Sequence, residues 1–219
     1  MIPGGFQVIA CPHCHGIAKY MTLVSGNTLG ATNWTDGYQD APMLPRPPAV
    51  VRCRHCARFY WLAEAKELGM LGGWGSSGKL PNPAWQSAEE VARPTEDEYY
   101  LALESRLGRN KAQEKQLRIL TWWRRNDAFR HRYPAKEEKV PSEFVSSRQN
   151  LEALAKLLDE KNDSERIMKA EIFRELGKFH ECIALLDKVS SKGYEKVAAQ
   201  LRLLSDNKDP WVRELRLGT

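Results

Sequence analysis

Two short cysteine turns carry the clearest chemistry in this chain. Cys11-Pro-His-Cys14 and Cys53-Arg-His-Cys56 are C-x-x-C pairs with 38 residues between them. Each such turn aims two sulfurs at one point, and two turns together supply the four soft ligands that tetrahedral zinc takes at about 2.3 Å. Four thiolates close the coordination shell and leave no position for water, so Cys11, Cys14, Cys53 and Cys56 are expected to hold a structural metal, zinc first and iron as the alternative occupant. Other readings of the same residues are weaker. Cys11 to His15 also spells C-x-x-C-H, the attachment sequence of c-type haem, which goes with export, and the start of the chain shows no export signal. A thioredoxin-like redox pair needs a helix N-terminus to lower its thiol pKa, and neither turn precedes a helical pattern. His13, His15 and His55 are expected on the outside of the turns, because a thiolate is present at every corner.

Short strands must position these turns. Ala49-Val50-Val51 before the second turn and Phe59-Tyr60-Trp61-Leu62 after it are β-prone, giving strand, knuckle, strand, the form of a zinc ribbon or rubredoxin-like knuckle. The wide gap between the turns is filled by turn chemistry at Gly26-Asn27, at Asn33 to Gly37 and in the Pro-rich stretch from Pro42 to Pro48, which together predict an inserted hairpin. Ala63 to Leu68 reads as a short helix. Residues 1–70 are thus expected to form a zinc ribbon with an inserted hairpin.

Residues 71–94 read as a Gly/Pro-rich linker. Gly73 to Gly78 fits G-x-G-x-x-G, and Gly73 to Lys79 fits G-x-x-x-x-G-K. Both phosphate-binding patterns require a strand before and a helix after, and Leu80 stands where a magnesium-binding Ser or Thr belongs. The sequence predicts neither element, so the segment reads as a connection that Trp74 and Trp85 pin to a neighbouring surface.

From residue 95 the pattern is helical. Thr95-Glu-Asp-Glu98 is a capping-box signature opening a helix to about Leu107, and Asn110 is placed to cap a long helix reaching about His131. On that helix Lys111, Arg118, Arg125 and Arg132 recur every seven residues as a basic stripe, with Trp122 and Phe129 beside it. Basic side chains with interleaved aromatics neutralise phosphates and stack on bases, so Lys111, Arg118, Trp122, Arg125 and Arg132 are the candidate nucleic-acid contacts. Further helices are predicted over 147–161, from Asp163 or Ser164 to Leu176, over 193–204, and as a last turn over 210–215. Gly177-Lys-Phe179-His-Glu-Cys182-Ile183-Ala-Leu-Leu186 resembles the turn and second helix of a tetratricopeptide repeat. Gly177 would take the left-handed position after the helix, Phe179 would fill the groove between helices, and Cys182 would be a small buried residue.

The fold class expected is therefore α+β: a small N-terminal β zinc ribbon followed, over residues 95–219, by an α-helical tetratricopeptide-like bundle. Four cysteines in two knuckles followed by such helices resemble a bacterial family with that arrangement, which implies zinc binding and protein interaction but no particular activity. Composition agrees with a folded chain: 42% hydrophobic, 28% charged, net charge +5. No apolar run is long enough for a membrane span and no signal peptide is legible, so a cytoplasmic location is expected. No nucleophile, acid and base stand in a motif with a mechanism. The expected function is a non-enzymatic, zinc-stabilised adaptor or scaffold that binds a protein partner through its helices. The alternative is a nucleic-acid-binding module built on the basic helix.

Overall fold

A computed structural model describes residues 1–73, 82–130 and 145–216. It divides into two compact units, one made of Met1–Ala31 and Ala41–Leu107, the other of Thr32–Asp40 and Gly108–Thr219. The expected α+β class holds, with strands and the cysteine turns first and helices after.

In the first unit β1 (Ile2–Ala10) and β2 (Ile17–Ser25) form an antiparallel hairpin whose tip is the first cysteine turn. A second hairpin, β5 (Val50–Arg52) with β6 (Phe59–Trp61), carries the second turn. The helix expected over Ala63 to Leu68 is instead a single 3₁₀ turn, Leu62–Glu64, followed by strand β7 (Lys66–Leu71) antiparallel to β1. A six-residue segment has little helical stability of its own, and the open edge of β1 offers it a ladder of backbone hydrogen bonds. Two glycine pairs let the far ends of these strands touch. A Cβ on Gly73 would lie 2.1 Å from the Gly4 carbonyl oxygen, and one on Gly5 would lie 2.6 Å from that of Gly72. A strand therefore does precede Gly73, contrary to the expectation of none, while the rest of the Gly-rich motif, residues 74–81 with Trp74 and Lys79, lies outside the described residues. Trp85, in the short helix α1 (Pro83–Gln86), packs its ring over Gly69 as a pin of this kind. Strand β8 (Glu89–Glu90) adds to β2 in parallel, completing the sheet order β7-β1-β2-β8. Helix α2 (Glu96–Glu104) has the expected capping box: Thr95 Oγ1 accepts from the Glu98 amide at 3.2 Å, and Glu98 Oε2 accepts from the Thr95 amide at 2.9 Å.

The second unit contains α3 (Lys111–Arg130), α4 (Val145–Leu157), α5 (Asp163–Glu175), α6 (Phe179–Leu186) and α7 (Glu195–Asp206). Leu151, Leu154 and Leu158 of the α4 region pack with Trp122 and Ile172, and Ile167, Ala170, Cys182, Leu185 and Leu201 form a second cluster across α5, α6 and α7. Asn162, rather than Asp163 or Ser164, caps α5, its side chain accepting from the amides of Ser164 and Glu165. Gly177 ends α5 in the left-handed region at φ +74°, with its amide bonded to Arg174 O and that of Lys178 to Phe173 O.

The domain boundaries lie elsewhere than expected. The hairpin β3 (Thr32–Asn33) with β4 (Gln39–Asp40), predicted as a ribbon insert, belongs to the helical unit, while residues 95–107, including α2, belong to the first. The chain from Pro210 to Leu215, expected as a helical turn, is extended: Thr35 N–H donates to Arg213 O at 2.8 Å and Leu215 N–H to Asn33 O at 2.7 Å. A buried polar cluster explains the attachment. Arg130 grips Asp36 with two hydrogen bonds of 3.0 and 2.7 Å, and the Asn126 amide donates to Asp36 and to Glu175. Arg174, fully buried, is held by Glu171, Thr35 Oγ1 and the Trp211 carbonyl. Trp34, 1% exposed, packs with Phe129, Trp211 and Val212.

Glu175 receives the Trp122 indole N–H at 2.8 Å and the Asn126 amide at 2.9 Å. Desolvation, with the Glu171 and Asp36 carboxylates nearby, pushes it up to about 8. The folded protein thus keeps a proton that the unfolded chain releases near the ordinary value of 4.5, so stability falls as pH rises between about 4.5 and 8. Glu175→Gln is expected to flatten this slope, as read from denaturation midpoints at pH 5 and pH 8. An unchanged slope would show that other groups set it.

Candidate metal centre

The two cysteine turns are copies of one backbone device. In the first, Cys11 N–H donates to Gly16 O at 2.9 Å and His15 N–H to Cys11 O at 3.0 Å; in the second, Cys53 N–H donates to Arg58 O at 2.9 Å and Ala57 N–H to Cys53 O at 2.8 Å. His15 and Ala57, each directly after the second cysteine, take the left-handed conformation at φ 61° and 59°. That conformation turns the chain sharply enough to bring both sulfurs of a pair to one side. Backbone amides then point at sulfur, those of His13 and Gly16 donating to Cys11 Sγ and Cys14 Sγ at 3.4 Å.

The turns face each other. The four sulfurs of Cys11, Cys14, Cys53 and Cys56 lie within 4.8 Å of one another, with Cys14 to Cys53 at 3.6 Å and Cys11 to Cys56 at 3.9 Å. All four are free thiols. A metal with sulfurs at about 2.3 Å in a tetrahedron has sulfurs about 3.8 Å apart, so this spacing fits an ion and is far from the ~2 Å of a disulfide. Electrostatics point the same way. Burial pushes the Cys53 thiol up, but the amides of Cys56 and His55 and the thiols of Cys11 and Cys14 outweigh it and bring it down to about 7. The Gly16 amide favours the Cys14 thiolate, yet burial and the other three sulfurs prevail and hold it at about 12. Four thiolates this close repel one another, and a bound cation is what allows all of them to ionise. Beneath the site Val51 and Tyr60 pack on Cys11 and Cys53, and Tyr60 is pushed upward by burial and by the sulfurs' charge.

The histidines do more than face solvent. His13 Nε2 lies 3.2 Å from Phe59 O and His55 Nε2 lies 3.4 Å from Ile17 O. Each is two residues after the first cysteine of its turn, and each reaches the first residue of the strand leaving the other turn. Gly16 makes room, since a Cβ there would sit 2.3 Å from the His55 ring. A matched pair of bonds across the centre was not readable from sequence, because it depends on two turns 38 residues apart lying face to face. His13→Ala or His55→Ala is expected to remove about 1 kcal/mol each, or about fivefold in metal retention against a chelator. Retention equal to wild type in both variants would show that the bonds do not support the centre.

Cys182, the fifth cysteine, is wholly buried beside Ser205, whose hydroxyl donates to it at 3.2 Å, and burial pushes its thiol up to about 11. It is the small buried residue expected. The nucleic-acid candidates are not presented together. Lys111 is exposed, Arg118 is engaged by Glu114 and Asn150, Arg125 is buried, and Arg132 lies outside the described residues. Trp122, 1% exposed with its indole N–H on Glu175, sits in the core and offers no face for a base. Heptad spacing put these residues on one helix, but the packing of α4 and α5 takes Trp122 inward. Among the described residues no helix is long and apolar enough to cross a membrane.

Searches against protein-family models, curated proteins and solved structures find no match to this chain.

Proposed function

We propose that the four cysteines bind one zinc ion in a closed structural site, and that the protein is a non-enzymatic adaptor whose tetratricopeptide-like helices hold another protein. The observation that carries the metal reading is the spacing of the four sulfurs, close to the edge of a zinc–thiolate tetrahedron. With every ligand a cysteine, the ion has no open position, so its role is to fold the knuckles rather than to activate water. The adaptor reading draws support from the helix–turn–helix formed by α5 and α6 around Gly177 and from α7 stacking on it, with Leu203 of α7 61% exposed. The nucleic-acid alternative has less support, since Trp122 and Arg125 are withdrawn from the surface.

Elemental analysis of the purified protein is expected to find one zinc per chain, in colourless solution. A red, iron-bearing protein would change the metal, and a metal-free protein would overturn the site. For the adaptor, a protein partner held by the wild type and lost on Leu203→Asp, with metal content unchanged, is the expected result. Recovery of nucleic acid alone would count against it.

A further inference from the structure

Of the four clustered cysteines only Cys14 is exposed; Cys11 and Cys53 are buried and Cys56 is intermediate. An oxidant arriving from solvent therefore meets Cys14 first. A sulfur of the facing turn, Cys53, lies 3.6 Å from it, and another short contact, Cys11 to Cys56 at 3.9 Å, also runs between the turns. Closing 3.6 Å to the ~2 Å of a disulfide takes about 1.5 Å of movement, within reach of side-chain rotation. The two turns are already held face to face by His13 on Phe59 O and His55 on Ile17 O, so the cross-turn pairs are pre-aligned.

We propose that the cysteine centre is a peroxide-reactive modification site in which Cys14 is oxidised first and Cys53 resolves it, stapling the two turns together by a disulfide and releasing the metal. This rests on the metal reading for the release and for the Cys14 thiolate, since four sulfurs this close repel one another without a cation between them. The Cys14 thiolate attacks one peroxide oxygen, forming a sulfenic acid as the O–O bond breaks and the other oxygen leaves as water after taking a proton. The Cys53 thiolate then attacks the Cys14 sulfur, the S–S bond forms, and the hydroxyl leaves as a second water with another proton. In sum, two thiolates, one hydrogen peroxide and two protons give one disulfide and two waters. Two electrons pass from sulfur to oxygen. The ion, left with two thiolates, is no longer held, and Cys11 with Cys56 completes a second staple with a second peroxide. The unit is thereby cross-linked between its two hairpins by covalent bonds in place of the metal.

The test uses the full-length, metal-loaded protein and hydrogen peroxide. Metal release is followed with a metallochromic dye, and the disulfides are mapped by non-reducing tryptic digestion and mass spectrometry. Cleavage after Arg54 separates Cys53 from Cys56, so cross-turn and within-turn linkages differ in mass, and because Cys11 and Cys14 remain on one peptide, fragmentation of that linked peptide tells which of the two is joined to Cys53. The expected result is loss of bound metal in step with peroxide consumed, and a Cys14–Cys53 linkage as the first product. Disulfides confined to Cys11–Cys14 or Cys53–Cys56 would overturn the proposal, as would a centre that stays reduced under peroxide that oxidises free cysteine. The readouts separate the two readings. A protein isolated without metal that still forms Cys14–Cys53 refutes the metal and keeps the staple; one that holds metal and resists peroxide does the reverse.

Discussion

Removing the metal, by chelation or by Cys53→Ser, is expected to unfold the unit made of Met1–Ala31 and Ala41–Leu107 while helices α3 to α7 keep their structure. The second cysteine turn hangs on strands of only three residues, β5 and β6, and Cys11 and Cys53 lie inside a buried cluster with Val51 and Tyr60. In small zinc domains the binding free energy, on the order of 10 kcal/mol, is folding free energy, comparable to the whole ~5–15 kcal/mol that stabilises a domain. Without the ion, four sulfurs within 4.8 Å face one another with no cation between them. Helix α2 is part of this unit, so some helical signal should be lost with it, but the larger share from α3 to α7 should remain. Far-UV circular dichroism with and without chelator, read beside limited proteolysis, checks this. Loss of all helical signal in step with metal would show that the two units fold as one.

Asp36→Ala should strike the other unit. Its carboxylate is fully buried and receives two bonds from Arg130, itself 2% exposed, and one from Asn126. Removing the anion leaves a guanidinium buried without its main counter-charge, and breaking such a pair on one side costs about 3–5 kcal/mol. That is a large part of the ~5–15 kcal/mol that stabilises a domain. The expected outcome is a marked drop in the denaturation midpoint of the helical signal with full retention of metal. Asp36→Asn, which keeps an acceptor for Arg130 but not the charge, should fall between. An unchanged midpoint in Asp36→Ala would mean that Arg130 finds another partner at no cost. For the same reason, a fragment beginning at Gly108 lacks Trp34, Thr35 and Asp36 and should be less stable than the helices within the whole chain.

What the sequence determined by itself was local. The C-x-x-C turns, the capping box at Thr95, the cap at Asn110 and the left-handed Gly177 each depend on residues within a few positions of one another, so spacing is enough to read them. The helices α4, α5 and α7 were legible for the same reason, since helical periodicity repeats within one element. Tertiary structure decided what distant partners settle. Lys66–Leu71 is a strand because β1 lies beside it, and Trp122 is core because α4 and α5 cover it. The hairpin from Thr32 to Asp40 sits among the helices because Asp36 meets Arg130, 94 residues away, and because Thr35 and Asn33 pair with the chain near Leu215. A buried ion pair leaves no periodic trace in either segment. Its two members are ordinary charged residues until folding removes the water around both.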